Sequence, residues 1–173
     1  MIFGWQFNVA FRELEEQSLA IFSRQMGSLF SQAETADMTV SCQGEEVPCH
    51  RAVLMARSPT FARGLTTSWK EGGKARWEVR EAAPVAVRDM LAYIYTGNLP
   101  EGGDMEELLH LAALYQLDSM VEDIKKVLVE KLTQKNSLRM LILIDKYKTG
   151  RSDEMKEKVV NFIMNCGEKM MLS

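Results

Sequence analysis

Cys42, Cys49 and His50 are the one place in the chain where thiols and an imidazole fall close together along the sequence. A cysteine nucleophile needs a histidine in contact and a third group to orient it, which adjacent residues rarely achieve. A tetrahedral zinc site needs four ligands, usually at paired short spacings. Here the two cysteines are seven positions apart, and the other histidine, His110, falls on a separate helical segment. The pattern reads instead as two strand cysteines acting as small buried hydrophobes, followed by a histidine that caps or packs. Glu15-Glu16, Glu45-Glu46 and Glu106-Glu107 have the look of solvated faces rather than acid/base pairs. Gly72-Gly73 and Gly102-Gly103 lack the flanking residues of a phosphate-binding loop. Lys125-Lys126 lies opposite an apolar helix face, on its wet side. No catalytic centre, metal or cofactor is expected, which leaves binding to other proteins.

Composition narrows the class further. A chain of 173 residues fits one domain, or one domain with a helical extension. Its net charge of −3 is small, and Lys and Arg are interspersed with Asp and Glu. A nucleic-acid domain would carry a basic face, so nucleic acid is not an expected partner. No apolar run reaches the roughly 18 residues of a membrane span, and residues 1–10 have no basic start and make a poor signal peptide. Three irregularly spaced cysteines suit reduced thiols. A soluble protein of the nucleus, the cytoplasm or both is expected.

The elements follow from periodicity. Trp5, Phe7, Val9 and Phe11 alternate with polar residues, which predicts a strand over residues 5–11. Leu14, Leu19, Phe22, Met26, Leu29 and Phe30 then fall near helical spacing, predicting a helix over 12–31 whose apolar face packs on the core or on a second copy. Residues 38–42 and 46–49 bracket Gln43-Gly44, a hairpin signal. A helix over 50–56 follows. Ser58 and Pro59 are a good N-cap and first-turn residue for the next, which carries Phe61 and Leu65. Trp77 and Val79 alternate with charged residues in a third strand, 75–80. Five helices come after Pro84: one stopped by Thr96-Gly97, one holding Met105 to Tyr115, one capped by Asp118 or Ser119, one opened by Asn136 and ended by Gly150, and one over 153–166. The class is α+β. A three-stranded sheet cannot support itself, so helices must cover it.

Several segments together resemble a BTB/POZ domain. They are Ala36-Asp37-Met38-Thr39-Val40, Cys49-His50-Arg51-Ala52-Val53-Leu54, Ala56-Arg57-Ser58-Pro59-Thr60-Phe61 and Tyr93-Ile94-Tyr95-Thr96-Gly97. The resemblance covers residues 12–132 with order and spacing kept. It is most similar to the speckle-type POZ proteins, without their upstream MATH domain. It implies three regions: a strand or upstream remnant at 1–11, the BTB/POZ domain at 12–132, and a helical extension at 133–173 that looks like the start of a BACK-like module.

The resemblance also implies partners and residues. Family members homodimerise through the first helix, whose counterpart here carries Phe22, Met26 and Leu29, joined by Val53. Asp37 and Arg57 match a polar cluster near that interface. The strand at 5–11 suits exchange onto the edge of a partner's sheet. Speckle-type members bind cullin-3 through a hydrophobic residue, any residue, then Glu. Trp69-Lys70-Glu71 stands at that place, and Phe61, Leu65 and Tyr115 would complete the patch. The function so implied is a homodimeric substrate adaptor of a cullin-RING ubiquitin ligase, with an unknown substrate protein as further partner. The alternative is a dimerising module that recruits transcriptional corepressors.

Overall fold

The computed structural model describes the backbone of residues 3–67 and 75–171, and the side chains of residues 12–66 and 75–166. Trp69 and Glu71 lie outside the described residues.

The chain opens with a single helix, α1 (Phe3–Phe30). Residues 5–11 are therefore its first turns and not a strand. The physical reason lies in what surrounds those seven residues. No Gly-Pro or Asn-Gly break separates Phe11 from Arg12, and Phe3, Phe7, Phe11 and Leu14 also recur at helical spacing. A short alternation extending unbroken into a strong helix is absorbed by it. A 3-10 turn (Ala33–Thr35) leads to the sheet.

The sheet order is β2-β1-β3, with β1 (Met38–Cys42) in the centre. β2 (Glu45–Cys49) pairs antiparallel with β1, Val47 opposite Val40 and Glu45 opposite Cys42. Closing that pair with two residues requires left-handed backbone at both positions. Gln43 has φ 49° and Gly44 φ 88°, the turn that matches strand twist. β3 (Ala75–Val79) pairs parallel to β1, Trp77 opposite Val40. A parallel return needs a crossover, and α2 (Arg51–Arg57) and α3 (Pro59–Thr67) lie in it.

α4 (Pro84–Thr96) is the central helix, with Met90, Leu91 and Ile94 at 1% exposure or less. Each such burial is worth about 1.5–3 kcal/mol. Gly97 ends it in the left-handed region at φ 72°, where a β-carbon would be penalised. α5 (Met105–Leu114) is capped by Asp104, whose Oδ1 accepts the Glu106 and Glu107 N–H groups at 2.9 and 3.1 Å. α6 (Asp118–Glu130) has Leu117 at its cap position, so Asp118 is its first residue rather than its cap.

α7 (Ser137–Lys146) and α8 (Ser152–Met171) form a helical pair. α7 stops before Tyr147, so Gly150 sits in the connecting turn and does not end the helix. Met140, Ile144, Met155 and Val159 make a second small core between this pair and Leu128, Val129 and Leu132 of the α6 end.

Candidate protein-interaction surfaces

α1 reaches the domain through small residues. A β-carbon on Gly27 would stand 3.2 Å from Thr96 Cγ2, and Asn98 donates from Nδ2 to Ser23 Oγ at 2.9 Å. The close approach leaves a groove of about 480 Å³ between α1, α2 and the end of α4. Leu19, Phe22 and Met26 line one wall, Ala52, Val53 and Arg57 the other, and Ile94 and Tyr95 the floor. Phe22 is 57% exposed and Leu19 68%. Met26, Leu29 and Val53 are half-buried against the main core. The structure thus brings Phe22, Met26 and Val53 to one open apolar groove, with Leu29 packed beneath α1.

The floor is held stiffly. Tyr95 packs against Phe30 with ring centroids 4.9 Å apart and planes tilted by 40°. Its hydroxyl accepts the His50 backbone N–H at 2.7 Å and lies 3.0 Å from His50 Nδ1. His50 Nε2 lies 2.8 Å from Thr35 Oγ1. Burial drives the Tyr95 phenol far above its ordinary range. His50 is a packing residue joined to a tyrosine, not a partner of a catalytic thiol. Tyr95, Leu19 and Ala52 escape a sequence reading of this groove. The Tyr-Ile-Tyr-Thr-Gly run marks the place, but only the fold shows which tyrosine faces α1.

Within one chain Asp37 and Arg57 bond to different partners. Asp37 Oδ1 accepts the backbone N–H of Arg51 at 2.7 Å, at the start of α2. Arg57, at the other end, donates from Nε to the Ile94 carbonyl at 3.2 Å.

The second surface surrounds the end of α3. Ser58 caps that helix, accepting the Phe61 N–H at 3.2 Å while its hydroxyl donates to the Tyr115 carbonyl at 2.6 Å. Phe61, Leu65 and Tyr115 are 0%, 1% and 4% exposed. They are core residues and form no outer patch, which corrects the expectation for all three. Phe61 lies 4.7 Å from the Tyr115 ring and 5.1 Å from Trp77, and Trp77 Nε1 donates to the Tyr115 hydroxyl at 3.0 Å. Helical spacing shows that Phe61 and Leu65 share a face. It does not show that Trp77, arriving on a parallel strand, covers that face. A β-carbon on Gly64 would run into the Trp77 ring, so α3 and β3 touch where only glycine fits.

The thiols are apart and quiet. Cys42 Sγ donates to the Ala82 carbonyl at 3.1 Å, and its pKa is raised by burial, then by Glu45 and Glu107. Cys49 is fully buried, and burial pushes its thiol up to about 12. Cys166 is half-buried on α8. Since the thiolate is the reactive form, iodoacetamide at pH 8 is expected to modify Cys166 and spare Cys42 and Cys49 until the protein unfolds. Peptide mass mapping of native and denatured samples reads this directly. Among the described residues, no group of three or more His, Cys, Asp or Glu is placed to hold a metal ion. No described helix is long and apolar enough to cross a membrane.

Comparison with known proteins agrees with this architecture. The BTB/POZ domain model matches residues 26–132. The solved BTB domain of zebrafish PATZ1 superposes with a TM-score of 0.53 at 22% identity, covering 69% of this chain and 95% of that one. That likeness is one of fold: a small mixed sheet covered by helices. Domains of this family are protein-interaction modules that self-associate and bind partner proteins, generally without enzymatic activity. With more than half its length matched and the groove, hairpin and central helix in place, the chain belongs to the BTB/POZ family.

Proposed function

We propose that the chain is a homodimeric substrate adaptor of a cullin-RING ubiquitin ligase, related most nearly to the speckle-type POZ proteins. Two copies meet through the α1–α2 groove, and each docks cullin-3 through Trp69-Lys70-Glu71. Residues 133–173, with α7 and α8, serve as the BACK-like extension after the domain. The observation that carries self-association is the groove itself: an open apolar channel whose wall residue Phe22 is 57% exposed. An aromatic side chain beside a ready-made apolar channel suits a two-fold interface, in which each copy supplies both knob and groove.

For the cullin contact the support is placement. Trp69-Lys70-Glu71 comes directly after α3, whose inner face is anchored by Phe61 and Leu65. A rigid helix just before a short motif in the chain lowers the ordering cost of binding. Trp is enriched among interface residues with large truncation costs.

Titration calorimetry with the N-terminal domain of cullin-3 tests the assignment. Trp69→Ala is expected to weaken binding by about 2 kcal/mol or more, roughly thirtyfold. Glu71→Ala should cost less, and neither should change the dimer mass. If Trp69→Ala lowers the melting temperature and leaves affinity per folded molecule unchanged, Trp69 is a core residue and the cullin assignment fails.

A further inference from the structure

The end of the domain meets the α7–α8 turn through buried charge. Lys125 on α6 is 1% exposed, and its ammonium donates to Thr149 Oγ1 and Ser152 Oγ, both at 3.0 Å. Glu122, three residues earlier on the same face, accepts the Arg151 backbone N–H at 3.1 Å through Oε1. The Thr149 N–H in turn donates to Ser152 Oγ at 2.7 Å. Two oppositely charged side chains of one helix thus grip a single turn, residues 149–152.

We propose that Glu122 and Lys125 form a latch that sets whether the α7–α8 pair is docked on the domain, and that breaking it releases the pair as a unit while the domain stays folded. Three observations support a separable unit. The pair has its own small core, Met140, Ile144, Met155 and Val159, which meets the rest through the end of α6, while Leu143 and Tyr147 of α7 and its cap add a half-buried contact with the main core. Other polar ties among the described residues, Arg139 to Glu106, His110 to Tyr147 and Asn136 to the Lys131 carbonyl, are solvent-exposed, where such contacts contribute little. The latch itself carries a cost: on the half-buried Glu122, Oε2 is shielded from solvent with no hydrogen-bond partner among the described residues, and a shielded polar atom is costly unless satisfied. The titration directions agree. Burial pulls the Lys125 pKa down, with Glu122 acting against it. Burial likewise opposes ionisation of Glu122, yet the Thr149 hydroxyl, the Arg151 N–H and the Lys125 ammonium keep its pKa below the usual carboxylate range. The consequence is positional. Leu138 and Ile142 on α7 and Met164 on α8 are exposed apolar residues, and the latch decides where they stand relative to the domain.

Lys125→Met removes the charge and keeps the length of the side chain. Amide hydrogen exchange of the full chain is expected to quicken at least tenfold across α7 and α8, with β1 and α4 unchanged. Tryptic cleavage after Lys148 and Arg151 should rise with it. If Lys125→Met does not fold, Thr149→Val, which deletes one hydroxyl of the latch, is read by the same two measurements. Exchange in α7–α8 that stays unchanged or slows overturns the latch. Exchange that rises equally in β1 and α4 overturns the separable unit.

Discussion

Replacing Phe22 and Met26 together with aspartate is expected to give a folded monomer. Phe22 is more than half exposed in the single chain, so its substitution costs the fold little, about 0.5 kcal/mol or less for such a surface position. In a two-fold interface the same change is counted twice, because each copy presents it to the other. Losing an aromatic anchor costs about 2 kcal/mol or more per site, so the dissociation constant should rise about a thousandfold or more. Met26 is half-buried against the core, so Phe22→Asp alone serves as the milder control. Light scattering after size exclusion reads the mass, and thermal melting shows whether the domain survives. A double variant that stays dimeric would place the interface elsewhere.

Phe61→Ala is expected to have the largest effect on stability. The ring is fully buried between Trp77 and Tyr115, with no solvent into which the site could relax. Such truncations cost about 3–5 kcal/mol, against a total stability of about 5–15 kcal/mol for a domain. Urea denaturation should show the midpoint falling steeply with little change in slope. Affinity for any partner of the α3 surface, per folded molecule, should be preserved. The contrast with Trp69→Ala separates a residue that supports a surface from one proposed to make it. A small loss of stability would mean that Phe61 is less enclosed than its packing indicates.

Much of the fold was legible because local chemistry and tertiary role coincide. Gln43-Gly44 demanded a tight hairpin, Ser58-Pro59 a helix start and Thr96-Gly97 a helix stop, and each is where the backbone needs it. The errors arose where a local pattern had two solutions. Residues 5–11 fit a strand by alternation and a helix by spacing, and the unbroken run into Arg12 decided for helix. Phe61 and Leu65 were recognised as one helix face, but whether that face looked outward depended on β3 returning parallel to β1. A parallel crossover leaves no turn signature for a sequence reading to find. The motif match of Asp37 does not reveal its bond to the Arg51 N–H at the start of α2. Periodicity puts Lys125 on the wet side of a helix. Its burial comes from the α7–α8 turn folding over α6, a contact that periodicity within α6 cannot reveal.

Light scattering of the wild-type chain mixed with the N-terminal domain of cullin-3 tests the adaptor most directly. Alone, the chain should run at twice its 19.7 kDa mass at tens of micromolar, roughly the range where a micromolar-or-tighter dimer is fully formed. With the cullin domain in excess, one species holding two copies of each should appear. A monomer that elutes apart from the cullin domain would contradict both the dimer and the docking motif.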